Sequence, residues 1–191
     1  TRPNLCLSDF VASQASGKPD YIGAFAVNCG EGVDARAKVF EANLDDYSSI
    51  LLKALADRFA ESCTEWLHRK VRTELWPYAN NEQLDNEALI DEQYQGIRPA
   101  PGYPACPDHS EKIKLFELLD AENLIGLKLT ENFAMFPASA VSGYYFSQPE
   151  SKYFVVGRIS KEQVLDYAAR KSISLELAEK YLSANLDYDP E

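Results

Sequence analysis

Between Ile97 and His109 the chain reads Ile97-Arg98-Pro99-Ala100-Pro101-Gly102-Tyr103-Pro104-Ala105-Cys106-Pro107-Asp108-His109, with three prolines and a glycine inside seven residues. Each proline fixes its own φ, removes a backbone donor and pushes the residue before it toward an extended conformation. The segment Arg98 to Pro107 is therefore expected to run as a stiff, extended ribbon, poor at making sheet. It presents carbonyls, one guanidinium and one phenol. A rigid connector between helices and a ligand-presenting strip are both compatible with that pattern.

With 191 residues the chain has the length of one domain and can bury roughly 70% of its unfolded surface. A net charge of −11 repels phosphate backbones and anionic membrane surfaces, which argues against nucleic acid and membranes as partners. No apolar run reaches the 18 or so residues of a membrane span, and the N-terminus lacks the charged and apolar regions of a signal peptide, so a cytoplasmic protein is expected. Cys6, Cys29, Cys63 and Cys106 are scattered and read as buried or partly buried thiols. Cys106 and His109 have a C-x-x-H spacing, but no second pair completes a tetrahedral site, and the only other histidine is His68, so no metal ligands are expected.

In chain order, Leu5-Cys6-Leu7 is a short strand candidate, and Tyr21 to Val27 is a strand apolar enough to be buried on both faces. Val33 to Leu44 reads as a helix. From Asp45 to Trp76 there is no proline or glycine, and Tyr47, Leu51, Leu55, Phe59, Cys63, Trp66, Leu67, Val71 and Leu75 step at helical spacing. This predicts a helix of about 45 Å, opened by Asp45 and Asp46 at the positive end of its dipole, with its first half covered on more than one side. His68, Arg69, Lys70 and Arg72 concentrate positive charge, read as a solvated face or a docking patch for an acidic partner. Asn86 to Glu92 is a short helix. Asp108 or Ser110 caps a helix from Glu111 to about Ala121, and Gly126 stops it. Leu127 to Thr130, Ala138 to Phe146 and Tyr153 to Gly157 are strand candidates, the last two joined by a hairpin loop over residues 147–152. Ser160-Lys161-Glu162-Gln163 is a capping box for a helix to Lys171, and Ser174 starts Leu175 to Leu182. The predicted class is α+β: an antiparallel sheet with one very long helix and several shorter ones.

Familiar chemical signatures are missing. There is no G-x-x-x-x-G-K-[ST] phosphate loop, no G-x-G-x-x-G after a strand and no G-x-S-x-G elbow. Residue patterns alone give an α+β ligand-binding module.

The segment YQGIRPAPGYPACPDHSEK, from Tyr94 to Lys112, resembles the R-x-x-x-G-Y region of the activation domain of cobalamin-dependent methionine synthase. CLSDFVA, SGKPDYIGAFAV, DDYSSILLKALADRFAE, KLTENFAM, SAVSGYYFSQPESKYFVVG and QVLDYAARK…NLDYDPE are similar to the same family, in the same order, across essentially the whole chain. The resemblance implies a part in methionine biosynthesis, where a methyl group passes from methyltetrahydrofolate to homocysteine through cobalamin. The module so implied binds S-adenosylmethionine and supports reductive methylation of cob(II)alamin, with an electron from flavodoxin or a diflavin reductase. It also implies that cobalamin is held by another module, as is the zinc of the full enzyme, and that no catalytic residue belongs to this stretch. Residue by residue, Arg98 matches the family's S-adenosylmethionine-binding arginine and Tyr153-Phe154 its second binding segment; Ala100 and Tyr103 lie in the same motif. At Phe154 some relatives have tyrosine, which favours a backbone contact there.

The chemistry suits those positions. Arg98 offers a planar, permanently charged fork for a carboxylate, the ribbon offers carbonyls near Ala100 for an adenine amino group, and Tyr153 offers a ring with a hydroxyl handle. Glu61 and Glu92 are candidates to balance a sulfonium or ammonium, although each alone reads more readily as a solvated surface carboxylate. In the family the domain is considerably longer, and an acidic ligand-binding residue precedes the matched part, so this chain is expected to be a C-terminal portion (1–191) or a shortened relative. A reactivation module of a multidomain methyltransferase and a stand-alone S-adenosylmethionine-binding or reductase-docking module both remain open.

Overall fold

The structure, a computed structural model, describes residues 4–190; of the expected domain range, residues 1–3 and 191 lie outside the described residues. Two antiparallel two-stranded ladders and a set of helices make up the chain, in agreement with the α+β expectation. The central ladder joins β1 (Gly23–Asn28) to β4 (Ala140–Tyr145), with Gly23 opposite Tyr145 and Asn28 opposite Ala140. The second ladder is short, β2 (Lys128–Leu129) against β3 (Met135–Phe136).

β1 is covered on both faces, as its continuous apolar sequence predicts, but Tyr21 and Ile22, expected to belong to it, lie before it and stay exposed. Phe25 and Val27 pack with Val71 and Tyr145 on one side, while Ala24 and Ala26 meet Leu115, Phe116, Ala121 and Leu127 on the other. The first side belongs to the long helix. Helix α1 (Val33–Ala42) precedes it, and α2 runs Asp46–Lys70 before a wider π-turn over Val71–Leu75. Asp45 caps α2 by accepting from the Ser48 amide at 3.0 Å.

The expected Cys63, Leu67 and Val71 pack on the core, but in the first half of α2 the packed face differs from the expected one. Its buried positions are Ser49, Ala56, Ala60, Thr64 and His68, small or polar side chains that let neighbouring backbone come close. Tyr47, Ile50, Leu51, Leu55 and Phe59 stay exposed, so the first half of the helix is not covered on more than one side. Thr64 satisfies its buried hydroxyl by donating to the Ala60 carbonyl at 2.8 Å.

Helix α3 (Asn86–Ile90) leads into the proline-rich segment. Helix α4 (Glu111–Leu119) ends early, because Asp120 turns into the left-handed region, and a separate α5 (Ala121–Ile125) follows up to Gly126. Three strand expectations are corrected. Leu5 to Leu7 is not a strand; Leu7–Phe10 forms a 3-10 turn instead. Tyr153 to Gly157 joins no ladder, and residues 147–152 do not make a hairpin, because the partner of β4 is β1. The Val156 amide donates to the Pro104 carbonyl at 3.0 Å, so this segment is held by the proline-rich chain. Cys6 is exposed, unlike the other three thiols.

Helices α6 (Lys161–Lys171) and α7 (Leu175–Tyr181) close the chain around their own core of Ile159, Val164, Ala168, Ala178, Leu182 and Leu186. The capping box at Ser160 and Gln163 is present, as is the Ser174 cap. No helix among the described residues is long and apolar enough to cross a membrane.

Candidate functional site

The proline-rich segment is extended only at its start. Ile97 exchanges both backbone hydrogen bonds with Phe146 at 3.0 Å, and the Pro99 carbonyl accepts from Tyr144 at 2.9 Å. Residues 97–99 thus lie as a further edge beside β4, contrary to the expectation that prolines would keep the segment out of sheet. Pro99 has no donor to contribute, but its carbonyl faces β4 and its missing N–H faces away. After Ala100 the chain turns tightly instead of remaining extended: Tyr103 donates to Ala100 at 3.2 Å, Cys106 to Tyr103 at 2.8 Å and Gly102 to Cys106 at 2.7 Å. Gly102 has φ +95°, and a Cβ there would sit 2.2 Å from the His109 ring.

This edge sets the backbone of Arg98 against α2. The Arg98 amide donates to the Tyr153 hydroxyl at 3.0 Å. Its guanidinium reaches across to three side chains: Nη1 donates to Tyr94 Oη at 2.7 Å and lies 3.1 Å from His68 Nδ1, while Nη2 donates to Glu65 Oε2 at 2.6 Å. Burial disfavours the charge of Arg98, but Tyr94, Glu65 and Tyr153 outweigh it and hold its pKa above the ordinary value.

His68 and Arg72, read from sequence as part of a charged helix face, are fully buried and look into this site, whereas Arg69 is exposed. Glu65, His68 and Arg72 share one side of the helix, three and seven residues apart. Burial first, then the nearby Arg72 and Arg98 charges, push the His68 pKa down to about 2, so the ring is neutral. A neutral ring accepts from Arg98 at Nδ1 and donates from Nε2 to Tyr78 Oη, 3.3 Å away. The ring stacks on Tyr145 and meets Tyr94 edge-on. Arg72 grips Glu82 through two hydrogen bonds of 2.7 and 2.8 Å and lies over the other face of the arrangement, 4.3 Å from the Tyr94 ring centre. Burial raises the Tyr94 hydroxyl's pKa well above its usual range and, with Arg72 lowering it only in part, that of Tyr78 to about 12. Both phenols therefore stay protonated.

Of the residues singled out from sequence, Arg98 and Tyr153 are brought together. Phe154 is half-buried with its ring 6.1 Å from that of Phe10. The Ala100 carbonyl is engaged in the turn to Tyr103. Tyr103 is exposed and lines a different cavity of about 670 Å³ with His109, Phe133 and Tyr181. A larger cleft of about 930 Å³ lies between the N-terminal turn and α6, lined by Leu5, Val11, Cys106, Phe146 and Tyr167 among others. Arg98 and Tyr153 line neither. Glu61 pairs with Arg58 on the surface at 2.8 Å, and Glu92 is exposed. The carboxylate on Arg98 is Glu65, one turn beyond Glu61. Glu65, His68 and Tyr94 were missed, although the i, i+3, i+7 spacing of Glu65, His68 and Arg72 on one helix face was available as a signal. Among the described residues no group of histidine, cysteine or carboxylate side chains is arranged to hold a metal.

A crystal structure of the MetH reactivation domain bound to AdoHcy has the same fold, with a TM-score of 0.94 and 59% sequence identity. The match covers 96% of this chain and 57% of that one, so the chain spans a little over half the length of that relative. The family model described as vitamin B12 dependent methionine synthase, activation domain, matches residues 1–172, and with them both the proline-rich edge and the helix that faces it. On that extent of sequence and that agreement of fold, the chain belongs to the activation-domain family of vitamin B12 dependent methionine synthase.

Proposed function

We propose that this chain binds S-adenosylmethionine at Arg98 and thereby supports reductive methylation of cob(II)alamin held by a neighbouring module, with an electron from flavodoxin or a diflavin reductase. The observation that carries the reading is the state of the Arg98 fork. Both hydrogens on Nη1 have partners in Tyr94 and His68, and Nη2 has one in Glu65. Among the described residues nothing accepts from Nε or from the second Nη2 hydrogen. Nε and Nη2 are the pair through which an arginine grips a carboxylate in parallel, as Arg72 grips Glu82. The guanidinium is anchored at both terminal nitrogens, and its side chain keeps 21% of its surface exposed.

The charge of Arg98 suits one group of the ligand. S-Adenosylmethionine carries an α-carboxylate for the Nε/Nη2 edge of Arg98, and when bound it supplies an electrophilic methyl group. The Tyr153 hydroxyl fixes the Arg98 backbone, and the Phe154 backbone and the turn at Ala100 and Tyr103 complete the proposed binding set. Neutral His68 and protonated Tyr94 hold Arg98 without competing for its charge. Folate, homocysteine, cobalamin and zinc belong, on this reading, to other modules of a methionine synthase. The AdoHcy bound by the structural relative is the demethylated form of the same ligand, which supports the reading.

Calorimetric titration with S-adenosylhomocysteine tests it. Arg98→Leu should weaken binding by about 2–4 kcal/mol, the usual cost of removing one member of a charged hydrogen-bonded pair. Unchanged affinity would reject the proposal.

A further inference from the structure

We infer that Glu65 is the positioning residue that aims Arg98 at its ligand. This rests on Arg98 meeting the ligand's α-carboxylate, as proposed above. Arginine has a long stem with many rotamers, and a fork held at one nitrogen can still swing. Tyr94 and His68 both hold Nη1. Among the described residues Glu65 alone holds Nη2, at 2.6 Å, and so fixes the rotation that decides where the Nε/Nη2 edge points.

The form of the contact separates it from a surface ion pair. Glu65 Oε1 is buried and has no hydrogen-bond partner among the described residues. The carboxylate is turned inward and gives up hydration at one oxygen to put the other on Arg98. Oε1 is buried and Oε2 is taken by Arg98, so Glu65 acts through Arg98. Its place on α2, one turn before His68, gives it a rigid mount.

The test uses two ligands that differ at the α-carboxylate: S-adenosylhomocysteine, and 5′-methylthioadenosine, which lacks the amino-acid part. On the full-length protein, Glu65→Ala should weaken S-adenosylhomocysteine about tenfold, in the range of one charge-assisted hydrogen bond, and leave 5′-methylthioadenosine within about twofold. Glu65→Gln keeps an acceptor at the same reach and should restore affinity to within about threefold of the parent. In an Arg98→Leu background Glu65→Ala should add nothing further. The inference is overturned if Glu65→Ala leaves S-adenosylhomocysteine unchanged, if both ligands weaken equally, or if Gln fails to rescue. If Glu65→Ala does not fold, Glu65→Asp, which keeps the charge but shortens the reach, replaces it: loss confined to S-adenosylhomocysteine supports the inference and no loss overturns it. Failure of the underlying reading looks different, with the parent binding the two ligands alike and Arg98→Leu affecting neither.

Discussion

The ring of His68 lies flat against that of Tyr145, 5.0 Å between centres and 15° from parallel, in a fully buried position between two arginines. A proton cannot be added there without cost. Folded His68 has its pKa pushed down to about 2, while in the unfolded chain it returns to about 6.5. As pH falls below 6.5 the unfolded state gains a proton that the folded state refuses, so stability should drop by up to about 1.4 kcal/mol per pH unit from this group alone. His109, lowered by burial and by Lys112, adds in the same direction. The carboxylates whose pKa is depressed, such as Asp108, act only below about pH 4. Urea unfolding at pH 6.5 and 5.5 measures the slope, which His68→Asn should flatten relative to His109→Asn.

Arg72 and Glu82 form a buried pair with almost no exposed side-chain surface. Removing one partner leaves the other as an uncompensated charge. Arg72→Met should cost about 3–5 kcal/mol, whereas Arg72→Met combined with Glu82→Leu should cost much less, because an apolar pair of similar volume needs no solvation. A double-mutant cycle in urea reads the difference. It also removes the cation over Tyr94, so part of the loss should appear in ligand binding at Arg98.

Gly143 on β4 sits where a side chain has no room. A Cβ there would come 2.6 Å from the Pro99 carbonyl oxygen and 3.0 Å from Phe25. Backbone does not yield as a flexible side chain does. Gly143→Ala should therefore destabilise by about 1–3 kcal/mol and lower Tm by about 5 °C, measured by thermal melting. Because the displaced atom adjoins Arg98, ligand affinity should fall with it.

Lys171 at the end of α6 gathers Asp108, Glu111, Ser110 and Tyr167 around its ammonium, with Asp108 at 2.6 Å and Ser110 at 2.8 Å. Burial raises the pKa of Asp108, but Lys171, Tyr167 and Ser110 overcome it and keep the carboxyl below its ordinary value. Lys171→Met should cost about 3 kcal/mol at neutral pH, as breaking a buried pair does. Part of that cost should vanish as pH falls, because Asp108, freed of Lys171 and raised by burial, takes up a proton more readily in the variant.

Elements fixed by local chemistry were legible in the sequence. Ser160 with Gln163, Asp45 ahead of the long helix and Gly126 after α5 each stop or start an element through contacts a few residues away. Positions decided by distant partners were not. His68 and Arg72 carry charge-bearing side chains that composition places outside, and only Glu82, Tyr78 and Arg98 folding over them make burial tolerable. Tyr153 to Gly157 has the β-branched and aromatic content of a strand, yet its backbone is taken by Pro104. The proline-rich segment was legible as stiff but not as turned, since Gly102 and the His109 ring set that turn together. Arg98 stood out through its sequence motif, while its pairing with Glu65 is set by the fold.

Among the described residues, helices α6 and α7 pair closely with each other and with no other helix or strand to the same degree. With a core of its own and Lys171 as a principal tie, this C-terminal pair can detach as a block while β1 and β4 stay joined. Amide protons of Val164, Ala168 and Ala178 should then exchange together, at a protection tier below that of Phe25 and Tyr145.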